Sequence, residues 1–408
     1  MASQRLLKGF EVELFTGRPD ATVVGCSAEV AAALEGFMIE PDRRNLEYIT
    51  PPETDYGRQL QLLLEPRRRL RPWLAERGLT LLPGSTLSLG DSSRFERSDP
   101  EHPYHAYIEA TYGTRVVTAS VHINLGLTAG TAFSGQEALF AGLRVLRCEA
   151  ALLLALSASS PFLDGRVTGA HSQRWLQFPL TPPQVPLFAD HRAYVDWMQV
   201  QLTAGRMQNV RHLWTSVRPN GDNRPHDLNR LEIRICDLVS DPQLLLAITA
   251  FCELRLLQLQ EAPEHWDPLR ASALSPMELA RLADANEQAS AGASLEAVLH
   301  HWRDGREIHC RQWIEGGLAE LGPLARRERL EARLAPLERV LQEGNQAMRW
   351  LALHRSGRSI TAILGAEAVA MAEQERLLAA EGGTAAEGGT DAVPSATDHT
   401  DRQAGVLG

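Results

Sequence analysis

Charged and polar residues alternate with apolar residues in four short segments of this 408-residue chain. Residues 9–15 read GFEVELF, residues 115–125 read RVVTASVHINL, residues 230–235 read RLEIRI, and a weaker alternation occurs in NLEYIT at 45–50. Alternation with period two predicts antiparallel β-strands that have one face on helices and the other open to solvent or to a site. The polar faces carry the candidates Glu11, Glu13, Glu47, His122, Asn124, Glu232 and Arg234.

The acidic residues in these segments indicate a metal site if the strands bring them together. Two carboxylates about 5 Å apart repel each other by roughly 3 kcal/mol at an effective dielectric of about 20. Bound cations would relieve this repulsion; oxygen ligands suit Mg²⁺ or Mn²⁺, and His122 could add a nitrogen ligand. Arg234 on the same face could stabilise a transferring phosphoryl group. For any one strand taken alone, a solvated polar face is the simpler interpretation.

Composition excludes several classes of protein. Lys8 is the one lysine among 41 Lys and Arg residues, so a P-loop, a protein-kinase site or a Schiff-base site would have to use that residue. A nucleotide would otherwise be held by arginines and metal ions. The net charge of −10 argues against a nucleic-acid partner, and no apolar run approaches the ~20 residues of a membrane span. Five scattered cysteines without a CxxC spacing predict reduced thiols and a cytoplasmic location.

We predict one domain over residues 1–380, with a helical C-terminal part from about residue 261, followed by a disordered tail over 381–408. The tail contains almost no large apolar residues and cannot form a core. Pro323 is expected at the first position of a helix, and Pro336 is expected to kink or divide that helix. The apolar spacing predicts helices over 56–77, 135–158, 190–203, 242–260, 276–284, 295–304, 323–354 and 359–380.

Several longer motifs resemble one known family. The segments GFEVELF, NLEYITPP, SVHINLG, LLALSASSPFLDGRVTGAHSQR and NRLEIRICD are similar to the glutamate–cysteine ligase family, in the branch that includes the carboxylate–amine ligases. The segment HLWTSVRPNGDNRPHDLNRLEIRICDL is most similar to the cyanobacterial-type glutamate–cysteine ligases. The resemblance extends over residues 7–257 and is weaker in the helices that follow.

The resemblance implies an α+β, glutamine-synthetase-like fold, in which a curved antiparallel sheet forms a funnel with helices packed on its outer face. It also implies two or three Mg²⁺ ions, with Mn²⁺ possible, and ATP as a substrate. In the implied reaction ATP phosphorylates the γ-carboxylate of glutamate. The amine of cysteine then displaces phosphate to give γ-glutamylcysteine, the first step of glutathione biosynthesis. The expected partners are these small molecules, with neither nucleic acid nor membrane.

The resemblance also assigns roles to individual residues. The metal ligands that it implies are Glu11, Glu13, Glu40, Glu47, His122 and Glu232. Arg234 would contact phosphate and act in catalysis with Glu232. Apart from the resemblance, Arg174, Arg218 and Asn124 are candidates for binding substrate or ATP, and a surface role is the alternative for the two arginines. Two alternatives stay open at this point: a carboxylate–amine ligase that joins glutamate to a different amine, and a non-catalytic helical scaffold.

Overall fold

The computed structural model describes residues 5–126, 135–179, 182, 184–207, 213–218 and 230–386, the last six as backbone. The strands are β1 Leu7–Gly17, β2 Phe37–Ile39, β3 Asn45–Ile49, β4 Thr80–Leu82, β5 Val121–Gly126, β6 Phe162–Leu163, β7 Arg166–Val167, β8 Thr215–Arg218, β9 Arg230–Ile233, β10 Val298–His300 and β11 Glu307–His309. The α-helices are α1 Ser27–Ala33, α2 Tyr56–Ala75, α3 Pro103–Tyr112, α4 Gln136–Cys148, α5 Ala150–Ser157, α6 Gln173–Gln177, α7 His191–Thr203, α8 Pro242–Glu261, α9 Pro263–Trp266, α10 Pro268–Ala271, α11 Pro276–Ala293, α12 Cys310–Arg327, α13 Glu331–Glu343, α14 Gln346–Arg355 and α15 Ile360–Ala386.

Seven strands form one antiparallel sheet with the order β2-β3-β1-β5-β9-β8, and β4 pairs with the end of β1. Phe10, Val12 and Leu14 on β1 are fully buried, and α2 and α4 pack against the sheet on the side of this core. The sheet therefore has one apolar face covered by helices, which confirms the predicted α+β class and the predicted orientation of β1.

The pairing register places the polar side chains beside one another. Glu13 lies opposite Glu47 across β1 and β3, and Glu11 lies opposite His122 across β1 and β5. Glu232 lies between Asn124 on β5 and Ser216 on β8. Directly opposed side chains in an antiparallel pair are about 4.5–5.5 Å apart at Cβ. The register alone therefore gathers the predicted residues of four strands on one face.

The apolar helix α8 packs against α2, α4, α5 and α13. Among the described residues it is the one helix long and apolar enough to cross a membrane, and most of it is buried inside the protein. A core helix that is surrounded by other helices needs an apolar surface on all sides.

Several predicted elements differ from the structure. In the first three, local turns or buried polar groups override the apolar spacing of the segment. The strand predicted over 115–125 begins only at Val121, since residues 113–116 form a 3₁₀ turn after Gly113 (φ +56°). The segment 295–304 is not a helix: β10 pairs with β11 in a hairpin closed through Gly305 (φ +74°). The helix predicted over 276–284 continues to Ala293, because Asn286 and Glu287 find buried partners.

The predicted helix over 135–158 is divided at Glu149, whose buried carboxylate accepts hydrogen bonds from Arg255 and Trp302. Pro323 is not a first helical residue, since it lies inside α12, where the buried residues of one helix face continue past it. Pro336 lies within α13 and does not divide it; the breaks in the predicted helix come at Arg329 (φ +55°), before α13, and at Gly344 (φ +87°), after it. The first six residues of the tail predicted over 381–408 belong to α15, which continues to Ala386; residues 387–408 lie outside the described residues.

The single lysine lies on the covered face of the sheet. Lys8 is fully buried, and its Nζ donates to the carbonyls of Leu6 and Thr54 at 2.8 and 2.7 Å. Its charge is 3.5 Å from the buried carboxylate of Glu253, which also accepts 2.6 Å hydrogen bonds from Tyr56 Oη and the Leu6 N–H. This cluster ties β1 to α2 and α8, and it keeps the lysine away from the polar face.

We expect Lys8→Met to lower the free energy of unfolding by about 3–5 kcal/mol, because Glu253 would be left as a buried charge without its counter-charge. Adding Glu253→Gln should restore more than half of that loss. The measurement is the urea midpoint of both variants. Arg376→Met, in an exposed pair with Glu373, serves as a control that should leave the midpoint unchanged; equal losses in the single and double variants would contradict the cluster's role.

Candidate active site

A cavity of about 440 Å³ opens on the polar face of the sheet. Nine of the ten predicted site residues line it: Glu11, Glu13, Glu40, Glu47, His122, Arg174, Arg218, Glu232 and Arg234. The tenth, Asn124, lies beside the cavity and donates to Glu11 Oε1 at 3.2 Å while it accepts from Arg230 Nε at 2.7 Å. The fold thus brings all predicted positions together, with Glu40 from the segment after β2 and Arg174 from α6.

Glu11, His122 and Glu232 form the floor of the cavity. One side-chain ligand atom of each lies within 4.8 Å of the others, and His122 Nδ1 is 2.8 Å from Glu11 Oε2. Burial by itself would raise the pKa of Glu11, but the hydrogen bond and charge of His122 outweigh it and lower the pKa to about 2. Glu11 therefore stays ionised at neutral pH and presents a negative charge to the cavity.

Glu232 is held by two arginines. Arg218 Nε donates to Glu232 Oε2 at 2.7 Å, and Arg234 Nη1 donates to Oε1 at 3.2 Å. Ser216 Oγ adds a further donor at 2.8 Å. Burial raises the pKa of Glu232, but the charges of Arg234 and Arg218 lower it well below the ordinary range. The polar face is thus less negatively charged than its lack of lysine suggests, because arginines partly neutralise the carboxylate of Glu232.

The other acidic residues form a second group at the β3 side. Glu13 accepts from Ser120 Oγ at 2.7 Å, whereas the carboxyl of Glu47 lies close to those of Glu40 and Glu13 and shares a hydrogen bond with Glu40. Burial and then the charges of Glu40 and Glu13 raise the pKa of Glu47 to about 10. In the absence of a cation, this group reduces its repulsion by binding a proton.

Two comparisons with known proteins bear on this site. The sequence profile of Glutamate-cysteine ligase family 2 (GCS2) matches residues 7–372. The chain belongs to this family of carboxylate–amine ligases. The "Putative glutamate–cysteine ligase 2" of Gloeobacter violaceus is 26% identical over 316 residues, which are 76% of this chain and 78% of that protein. A Rubrobacter xylanophilus relative, "Putative glutamate–cysteine ligase 2-3", is 27% identical over 322 residues, covering 75% and 80%.

Solved structures share the fold. A glutamate–cysteine ligase from Francisella tularensis, crystallised in complex with AMP, superposes with a TM-score of 0.69 at 15% identity and covers 94% of each chain. A bifunctional glutathione synthetase from Pasteurella multocida gives a TM-score of 0.65, also at 15% identity, over 91% of this chain and 53% of that one. At such identities the superpositions establish a common architecture and leave the substrate of this family member to other arguments.

Glu13, Glu40 and Glu47 suit Mg²⁺ more directly than the floor residues Glu11, His122 and Glu232 do. Glu13, Glu40 and Glu47 offer carboxylate oxygens in a partly buried group, and such oxygens are the ligands that Mg²⁺ prefers. Glu11 and His122 add an oxygen and a nitrogen. Glu232 keeps fewer lone pairs for a metal, because both of its oxygens already accept from arginine.

The wall of the cavity includes residues that the sequence analysis did not single out. Helix α3, the segments that flank it and the end of α6 contribute apolar and aromatic lining residues: Phe95, Tyr104, Ile108, Val116 and Phe178. Helix α3 was absent from the predicted elements, although His102 caps its N-terminus and Pro103 occupies its first turn. That cap and proline were the available sequence signal.

The raised pKa of Glu47 predicts a pH-dependent difference between the metal-free wild type and Glu47→Gln. The folded protein favours the protonated carboxyl of Glu47. The contribution of this carboxyl to the free energy of unfolding is therefore complete below the ordinary pKa of about 4.5 and is lost as pH rises toward 10. Gln does not titrate. We expect the variant to match wild type near pH 5 and to exceed it by on the order of 2 kcal/mol at pH 8, measured by chemical denaturation in EDTA.

Glu232→Gln is the matched comparison, because the carboxylate of Glu232 is paired with arginines, whereas that of Glu47 lies beside other carboxylates. Its removal strips two arginines of their partner, so the metal-free variant should lose on the order of 2 kcal/mol. Parallel pH profiles for wild type and Glu47→Gln, or stabilisation by both substitutions, would contradict the charge distribution described for the two groups.

Proposed function

We propose that this family member is an ATP-dependent glutamate–cysteine ligase that joins the γ-carboxylate of L-glutamate to the amine of L-cysteine. The observation that carries the proposal is the convergence of a carboxylate–histidine floor with Arg234, in one cavity large enough for small substrates. The family membership and the names of its relatives support the same activity. ATP, glutamate and cysteine are the proposed substrates, and a cytoplasmic location and a glutamine-synthetase-like architecture accompany the proposal.

The reaction asks the protein for charge neutralisation rather than for a nucleophile. A γ-carboxylate oxygen of glutamate attacks the terminal phosphorus of ATP and ADP leaves; the amine then attacks the acyl carbon, loses a proton and expels phosphate. When bound by Glu11, Glu13, Glu40, Glu47 and His122, Mg²⁺ would neutralise phosphate oxygens. Arg234 lies beside this group, and its guanidinium can hold phosphate oxygens through paired donors.

The cysteines of the protein have no part in the proposed reaction. Cys236 follows Arg234 by two residues, but it is fully buried, and burial raises the pKa of its thiol to about 12. A thiol in that state is a poor nucleophile at neutral pH. The thiol in the reaction is therefore the one carried by the acceptor substrate.

The identity of the acceptor is tested by a product assay. Purified protein is incubated with Mg²⁺, ATP and glutamate together with each amino acid or simple amine in turn, and phosphate release and product mass are recorded. We expect γ-glutamylcysteine to form fastest. Faster ligation to another amine would replace cysteine as the acceptor but keep the ligase chemistry.

The alternative of a non-catalytic scaffold gives a different result. Such a protein should show neither turnover nor a change in Tm with Mg²⁺ and ATP, whereas a ligase should be stabilised by them. Glu13→Gln should reduce that stabilisation, and the exposed Glu373→Gln should leave it unchanged. A wild-type protein that shows neither turnover nor a change in Tm with Mg²⁺ and ATP would overturn the proposed function.

The proposal also predicts unequal effects of two nearby arginines, Arg230 at the start of β9 and Arg234 just beyond its end. Arg234→Lys keeps the charge but loses the planar fork that fits phosphate oxygens, so kcat should fall by at least ~10²-fold. Arg230→Lys should have a much smaller effect, since Arg230 reaches the cavity from beside Asn124. Steady-state phosphate release measures both variants, and equal losses would contradict the placement of Arg234 at the phosphate.

A further inference from the structure

We propose that Arg174 and Asp237 are positioning residues that fix the main chain of Arg234, so that its guanidinium faces the transferred phosphoryl group. This inference rests on the proposed function, because it assigns those residues a role in the same reaction. It also gives a physical role to two motifs that the chemistry of the cavity leaves unexplained, SASSPF and TGAHSQR. We call Ser160, Ser172, Arg174 and Asp237 the support cluster.

Arg174 uses its terminal nitrogens on the backbone next to the site. Its Nη2 donates to the carbonyl of Arg234 at 3.0 Å, and its Nη1 donates to that of Ile235 at 3.2 Å. The side chain is only 2% exposed, and its Nε has no hydrogen-bond partner among the residues described. Its guanidinium lies over the ring of Trp214, 5.1 Å from the centroid. Both terminal nitrogens of the guanidinium thus hold the main chain.

This support is needed where the strand ladder ends. β9 ends at Ile233, so Arg234 lies just beyond the last paired residue. Its N–H still donates to the Trp214 carbonyl at 2.8 Å, but its own carbonyl is held by Arg174. A bidentate clamp on two successive carbonyls restricts the peptide between them, and the side chain of Arg234 is restricted with it.

Asp237 anchors the clamp from behind. Its buried carboxylate accepts from the Ser159 N–H at 2.9 Å, from Ser160 Oγ at 2.7 Å and from Ser172 Oγ at 2.8 Å. Ser160 Oγ in turn accepts from the N–H of Arg174 at 3.1 Å. One carboxylate therefore joins three chain segments, 159–160, 172–174 and the end of the LEIRICD motif, immediately behind Arg234. A positional error of about 1 Å in a catalytic group can lower a rate about 10²-fold.

A double-mutant cycle on kcat separates positioning from general stability. In the wild-type background we expect Arg174→Met to lower kcat by ~10-fold or more while the KM for glutamate changes little. In the Arg234→Lys background the same change should lower kcat by less than ~2-fold, because the group being positioned is already lost. Asp237→Asn and Ser160→Ala should show the same coupling with smaller effects, and they guard against a failure of Arg174→Met to fold.

Arg255→Met is the matched control. Arg255 is also a buried arginine, paired with Glu149 and Glu320 away from the cavity. Its loss should lower Tm, yet it should change kcat by the same factor in both backgrounds. If Arg174→Met behaves like this control, or if it raises KM with kcat unchanged, Arg174 is a structural or a substrate-binding residue and the inference is wrong.

The test remains decisive if no ligase activity is found. The same four variants of the cycle are then compared by calorimetric titration with Mg²⁺ and ATP. Coupling between Arg174 and Arg234 in the Kd for ATP would support positioning although the proposed function had failed. Independent effects in that titration would overturn the inference on its own.

Discussion

The placement of like charges on one face of β1 is the constraint on which the site depends. Glu11 and Glu13 share that face, and the register places Glu47 and His122 beside them. Burial strengthens the repulsion between the carboxylates. The protein relieves it in three ways: by arginines at Glu232, by a histidine at Glu11, and by a proton at Glu47. Of these three carboxylates, only that of Glu47 is relieved by a proton, which a bound cation could replace.

Part of the site could be read from the sequence because it depends on period-two alternation alone. In GFEVELF and RLEIRI the apolar residues are strong enough to fix the face, and a strand has only two faces. Pairing order and register then follow from tertiary contacts, but any antiparallel arrangement that buries Phe10, Val12 and Leu14 turns Glu11 and Glu13 the other way.

The parts that the sequence did not yield depend on long-range polar contacts. The end of α11 was placed too early because Asn286 and Glu287 look like solvent-facing residues, yet they pair with His300 and Arg147 from distant segments. The hairpin of β10 and β11 was missed because each strand has only three residues. Arg174 could be recognised as a candidate from its motif, but its hydrogen bonds to the Arg234 and Ile235 carbonyls follow only from the folded chain.

The scarcity of lysine acquires a physical meaning in this setting, beside any bias in codon usage. Buried arginines act as clamps between distant elements: Arg67 binds Tyr48 and Glu375, and Arg144 binds Asp267 through two nitrogens. A flexible ammonium cannot reproduce such planar, multiple donation. At the cavity, arginine has two different roles. Arg174 gives both terminal nitrogens to carbonyls, whereas Arg234 uses one nitrogen on Glu232 and His122. The partner of these nitrogens separates the two residues: the Arg174 guanidinium binds main-chain carbonyls and supports the site, whereas the Arg234 guanidinium binds side chains of the cavity floor and faces the cavity.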